Sequence, residues 1–215
     1  MKFLGTTLCL AAACGFSAPA SAVFLNNSTG LASPQQTITF DAPATPLAAQ
    51  DPVTTQFQSS GVTFTGAFYN PDSSTLPNIS GNRIGNFQAG IGHSALFQID
   101  FSSNLSQVAF AEVTQPGVST FEALLNGVSV QSMTAATSLT SPTNFYGFTG
   151  IVFNQVRISV ASSDNAFLLD NLQTVAAVPE PASWALLLAG MSVVGLAGRR
   201  GRGRTGRSSG QASSC

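Results

Sequence analysis

FEALLNGVSVQSM, residues 121–133, reads as two alternating runs joined by Asn126-Gly127. Asn-Gly readily takes the paired positive φ angles of a type I′ turn, so the stretch predicts a two-residue β-hairpin. Working outward, other short runs keep the same period of two. Thr37–Phe40 puts Ile38 and Phe40 on one face, and Gly61–Phe64 does the same with Val62 and Phe64. Ala95–Phe101 turns Phe97, Ile99 and Phe101 inward and Gln98 and Asp100 outward. Val108 and Phe110 continue the series, with Glu112 at its end. Val156, Ile158 and Val160 alternate with Arg157 and Ser159, and AFLLDNLQ, residues 166–173, closes it. No helical period of any length falls between residues 35 and 175. The expected fold is all-β, a jelly-roll-like β-sandwich of about eight to ten strands over residues 35–175. Residues 23–34 read as a flexible leader, and Gly66–Gly92, rich in Gly, Asn and Pro, as long loops with weak strands.

The chain has 215 residues, 44% hydrophobic and only 8% charged, with a net charge of −1. An average protein carries about 25% charged residues. The apolar content supports a core, so wholesale disorder is not expected. Five of the eight basic residues (Arg199, Arg200, Arg202, Arg204, Arg207) stand in the C-terminal tail. Residues 23–177 hold two arginines against eight acids, a net of −6. That balance argues against nucleic acid as a partner, because phosphate contacts need clustered Lys and Arg. The tail GRRGRGRTGRSSG has the look of an arginine–glycine segment, but short basic runs after an apolar stretch usually set membrane topology. The three cysteines, Cys9, Cys14 and Cys215, all lie outside the central region. No disulfide, thiolate metal site or cysteine nucleophile is therefore available there.

Both ends read as addresses. Residues 1–22 have Lys2, an apolar run Phe3–Ala13 and the Ala20-Ser21-Ala22 site of a secretory signal peptide, to be cut after Ala22 by signal peptidase. Lipoprotein processing at Cys14 is the weaker alternative, with Ala11 where that motif takes a larger aliphatic residue. Near the other end, Ala182–Gly198 carries no charge and as a helix would extend roughly 25 Å, the lower limit for a membrane crossing. Pro181 suits a first helical turn and Trp184 an interface. Arg199 and Arg200 place the C-terminus in the cytoplasm, and with it the body outside.

Val178-Pro179-Glu180-Pro181, the apolar helix at 182–198 and the basic cluster at 199–207 resemble the PEP-CTERM sorting signal of exported bacterial proteins. The segment is also known as the ice-binding protein C-terminal domain, a label that carries no ice affinity with it. The resemblance covers about residues 177–204 and implies processing by exosortase near Pro179, Glu180 and Pro181. It also implies a membrane-anchored precursor, a mature protein at the cell surface or in the extracellular matrix, and an association with exopolysaccharide. The sorting signal is assigned to residues 176–204 and a disordered tail to 208–215, ending at Cys215. TITFD (37–41), GVTF (61–64) and FLLDNL (167–172) resemble passengers found ahead of such signals, which implies a sandwich of uncharacterised role.

Chemistry is sparse in the body. His93 is the one histidine, and IGHSALF holds no nucleophile-elbow sequence. Zinc lacks ligands, and no P-loop or dinucleotide fingerprint occurs. Paired carboxylates for glycan hydrolysis are the one enzymatic option, and nothing selects a pair among the eight acids. The protein is therefore expected not to be an enzyme. Asp41 and Asp170, ending the first and last runs, could with Asn171 and backbone carbonyls hold a structural calcium. The plainer alternative has Asp170 pair with Arg157 or a backbone amide. Phe68, Tyr69, Phe145, Tyr146 and Phe148 lie beside Gly, Asn and Pro, and a sugar would stack best on Tyr69 and Tyr146, whose hydroxyls favour a wet edge. Thr37-x-Thr39 and Thr63-x-Thr65 resemble an ice-binding ladder, although threonine is simply common in strands.

Overall fold

A computed structural model describes residues 23–72, 74–178 and 191. The signal peptide, the sorting motif residues Pro179, Glu180 and Pro181, the helix at 182–198 apart from Met191, and Arg199 with the tail lie outside the described residues. Among the described residues no helix is long and apolar enough to cross a membrane.

The body is all-β and sandwich-like. Its strands are β1 (Val23–Asn27), β2 (Gln36–Ile38), β3 (Pro52–Val53), β4 (Val62–Thr65), β5 (Ala67–Pro71), β6 (Asn82–Gly85) and β7 (Phe87–Gln88). They continue as β8 (Gly92–His93), β9 (Phe97–Thr114), β10 (Gly117–Leu125), β11 (Val128–Thr137), β12 (Phe145–Ser162) and β13 (Phe167–Ala176). All but β7 and β8 belong to one hydrogen-bonded sheet.

That sheet makes two layers because β9 and β12, 18 residues each, run through both. The first half of β9 pairs with β4 on one side and with residues 155–158 of β12 on the other, and β10 and β11 extend that layer. The second half of β9 pairs with residues 145–149 of β12 and with β13. Outward from there β1 joins β12, β2 and β6 join β13, and β5 and β3 follow β6. The passage between layers falls where register breaks, between Thr149 and Phe153. Gly150 takes φ +77° there, the left-handed backbone that a strand corner uses and a side chain resists. Beside the corner, a side chain on Gly147 would begin 1.9 Å from the Val108 carbonyl oxygen. Glycine is what lets β9 and β12 pair closely at that level.

Between the layers lies an aromatic core. Phe121 of β10 stacks on Tyr146 of β12 at 4.9 Å, Phe97 of β9 meets Phe167 of β13 edge-on at 4.8 Å, and Phe40 meets Phe57 at 5.1 Å. The inward positions expected at Ile38, Phe40, Val62, Phe64, Phe97, Ile99, Phe101, Val108 and Phe110 are all buried. The Asn126-Gly127 turn has φ of +53° and +81°, both positive as a type I′ hairpin needs.

The expected leader fails, and two other stretches are more buried than their sequence suggests. Residues 23–34 are no loose leader: β1 pairs with β12, Phe24 packs on Phe121 at 5.8 Å, and Leu31 is buried. Gly66–Gly92, expected as long loops with weak strands, does hold short strands, and its β5–β6 pair puts Ala67, Tyr69 and Ile84 in the core. Glu112, expected at the end of its run, is a fully buried residue inside β9. The second half of β9 is covered on both faces. Val108 and Phe110 face the main core, while Ala109, Ala111 and Val113 pack with Leu31, Ile79 and Phe145 in a second cluster. The covering apolar residues are spaced irregularly among Gly, Ser and Asn and show no period. Among the described residues both clusters fall within residues 24–175, so the body holds its own core.

Candidate functional site

A cleft of about 210 Å³ opens where β5, β6, β9 and β13 end. Alternation along β5 buries Ala67 and Tyr69 and leaves Phe68 and Asn70 half-exposed toward the cleft. Opposite Phe68 in the β5–β6 ladder stands Gly85, which contributes floor and no wall. Phe87 of β7 lines one side with 44% of its surface exposed, large for a phenylalanine. Leu139 and Leu168 add apolar wall, and Asn70, Gln115 and Asp164 supply the polar groups. Asp164 is pre-set: its Oδ1 accepts from Ser162 Oγ at 3.0 Å and from the Ala166 amide at 3.2 Å. Exposed ring, carboxamides and a held carboxylate suit a ligand with apolar faces and edge hydroxyls. Asp164 is the one carboxylate among the lining residues, so the cleft lacks the pair that glycoside hydrolysis uses.

Of the aromatics singled out by sequence, Phe68 lines this cleft and the other four lie elsewhere. Tyr69 is buried at 4% exposure and Tyr146 completely, with its hydroxyl donating to the Ala136 carbonyl at 3.2 Å. Burial raises the Tyr69 hydroxyl pKa, with Asp41 adding to it, and pushes Tyr146 up to about 12, with the Glu112 charge assisting. Neither ring presents a face for stacking; both fill core positions that alternation assigns to the inner side. Phe145 and Phe148 are buried too. The threonine ladder does not form, because Thr37 pairs with Gln173 of β13 while Thr63 pairs with Asp100 of β9, two different strands.

Asp41 and Asp170 do meet at one place, the Ser80–Asn82 turn. Asp170 Oδ2 accepts the Ser80 amide at 3.2 Å and Oδ1 the Asn171 amide at 2.6 Å, while Asp41 Oδ1 accepts the Asn82 amide at 2.9 Å. Asp170 lies mid-strand, at a register shift of β13, rather than at a strand end. Burial pushes its carboxyl up to about 6, opposed by the Asn171 and Ser80 amides; the Asp41 charge raises it and Arg83 lowers it. Asn171 donates to the Asn78 carbonyl at 2.8 Å. Calcium needs six to eight oxygens, whereas here three N–H dipoles and a guanidinium charge already address the carboxylates. Among the described residues no three His, Cys, Asp or Glu side chains gather. The donor set fits a stapled loop better than a calcium ion.

Two groups escaped sequence reading. Arg83 is fully buried, paired with Asp72 and donating to the Ser74 carbonyl at 3.1 Å and hydroxyl at 2.8 Å. Arg157 does not reach Asp170; its Nε donates to Gln98 Oε1 at 2.7 Å. Glu112 accepts from the Ser119 hydroxyl through Oε1, and its Oε2 has no partner. Ser119 in turn contacts Thr137 Oγ1 at 3.1 Å, to which Thr114 donates at 2.8 Å. No signal in QVAFAEVT distinguishes such an acid from a strand-end one.

Residues 177–202 match the family model described as PEP-CTERM protein-sorting motif. The chain carries a PEP-CTERM sorting motif. It begins directly after the last strand, β13, ends at Ala176. No curated protein matches the chain. Among solved structures, CBM35 from Paenibacillus barcinonensis is similar at 18% identity and a TM-score of 0.34, over 55% of this chain and 94% of that one. TmCBM61, solved in complex with β-1,4-galactotriose, is similar at 9% identity and 0.31, over 56% and 94%. CBM32-3 from a family 31 glycoside hydrolase of Clostridium perfringens is similar at 10% identity and 0.31, over 60% and 86%.

Burial drives the Glu112 carboxyl up from its ordinary 4.5 to about 8, with the Ser119 hydroxyl opposing the rise. The folded body therefore binds a proton there that the unfolded chain releases above about 4.5, and its stability falls as pH rises from there through about 8. Urea unfolding of Glu112→Gln across pH 5–8 is expected to show a flattened pH slope and, near pH 8, a more stable protein than the wild type. An unchanged slope would mean that Glu112 is ionised in the fold.

Proposed function

We propose that the chain is an exported protein, made as a precursor with a cleaved N-terminal signal and a C-terminal membrane helix, sorted by exosortase. It then resides at the cell surface or in the extracellular matrix, where a jelly-roll-like body serves a structural or adhesive, non-catalytic role. The observation that carries this reading is the sorting motif at residues 177–202. The body supports it as well, since among the described residues every strand and every core residue lies before Ala177. Intact mass of the extracellular protein tests it. The expected species begins after Ala22 and lacks Trp184 and the arginine cluster, and only when the sorting protease is present. A secreted species still carrying both would overturn processing at the motif and favour a permanent anchor.

The cleft supports contact with polysaccharide as the adhesive activity. Phe87 would stack on a pyranose face, Phe68 would flank it, and Asp164, Asn70 and Gln115 would take the hydroxyls. So small and open a site suits weak, repeated contacts, with a dissociation constant of about 1 mM per sugar, or about −4.1 kcal/mol. Titration of oligosaccharides released from the producing cell's own exopolysaccharide is expected to show binding that Phe87→Ala weakens at least tenfold. Equal binding by wild type and variant would remove the cleft from the function. Turnover of the sugar, abolished by Asp164→Asn, would instead favour a glycan hydrolase.

A further inference from the structure

The sheet has several free edges, and they differ in kind. β3 is two residues long and starts with proline; β2, β4 and β1 are three, four and five residues. Short strands and proline are how proteins blunt an edge against pairing. β11 is different. It runs for ten residues, VSVQSMTAAT, without a charge or a proline. One side pairs with β10, and among the described residues no strand pairs with the other. On that side the described hydrogen bonds supply only the Tyr146 hydroxyl at the Ala136 carbonyl. Val128 is 68% exposed, and Val130, Met133 and Val118 of neighbouring β10 are exposed as well. Gln131 keeps a buried side-chain oxygen with no donor.

We propose that β11 is a self-association edge, pairing antiparallel with β11 of a second copy of this chain. The strand's own composition selects this occupant. Around a two-fold axis every residue meets a residue of the same strand, so any charge on the edge would face a like charge at or near the axis. The edge has none, although the body around it has a net of −6. The register between β10 and β11 shifts at Ala123/Leu124, which bends the strand near Val130 and leaves Gln131–Thr137 as the straight run. The centre of that run is Thr134, which is exposed. In an antiparallel pair centred there Thr134 faces its own copy, a favourable cross-strand pair, and Met133 faces Ala135. The contact joins two layers end to end without touching the carbohydrate cleft, and does not depend on that reading.

Light scattering of the body, residues 23–178, across a concentration series tests the pairing. The wild type is expected to dimerise, and Thr134→Lys and Thr134→Glu each to stay monomeric with an unchanged thermal melt. Mixed one to one, the two variants are expected to recover the dimer, because opposite charges now face each other at the axis. A wild type that stays monomeric at millimolar concentration would overturn the proposal. So would a dimer that survives both single variants, or variants that fail to recover association on mixing while both remain folded.

Discussion

The antiparallel pairing of β9 with β12 is the interaction on which the rest depends. Both strands are long enough to serve two layers, and each half of each recruits different neighbours. Close pairing needs the bare backbone of Gly147 against the Val108 carbonyl, and the corner needs the positive φ of Gly150. With the layers hinged on common strands, the aromatic residues of β10, β12 and β13 meet across a single core. A hinge made this way leaves the ends of the strands free to vary, and the cleft lies at such an end.

The outer face of β9 sets a second constraint. It is apolar at Ala109, Ala111 and Val113 and must be covered, and the cover is made of irregular chain. Irregular chain leaves backbone amides and carbonyls that need partners when buried. The asparagines and aspartates answer that need: Asn144 donates to the Pro77 carbonyl at 2.7 Å, Asn78 to Asn144 at 2.6 Å, and Asp170 takes the Ser80 amide. Asp41 and Asp170 are therefore explained by the loop they hold. Glu112 keeps one oxygen unpartnered in the core, and its protonated form is the one that burial favours.

The strands were legible wherever one face meets water, because only there does alternation survive in the sequence. Phe97-Gln98-Ile99-Asp100-Phe101 and the Asn126-Gly127 hairpin are of that kind. β9 beyond Leu105 was legible on one face only, at Val108 and Phe110, since Ala109 and Ala111 on the other face are buried as well and blur the period. β1 and β6 were hidden for a related reason: Phe24, Leu25 and Ile84 anchor them singly rather than in a repeating pattern. The site was less legible still. Phe87 became a candidate only through its exposure, and Asp164 only through its place on the rim, facts of packing that no spacing encodes. Tyr69 and Tyr146 show the converse, as a hydroxyl satisfied inside the core looks in sequence like one at a wet edge.

The C-terminal sorting motif is local and survives reading from a single chain, whereas the body's role is distributed over strands distant in sequence. What unites them is a body that closes on itself before the motif begins. Native-state hydrogen exchange on residues 23–178 tests the central claim that β9 and β12 are the spine of both layers. Amides of Leu105–Thr114, Phe145–Thr149 and Val156–Ile158 should exchange only through global unfolding, all with one free energy. If the layer of β10 and β11 opened and closed with its half of β9 and β12 while the other half stayed protected, the two layers would be separate units and the account would be wrong.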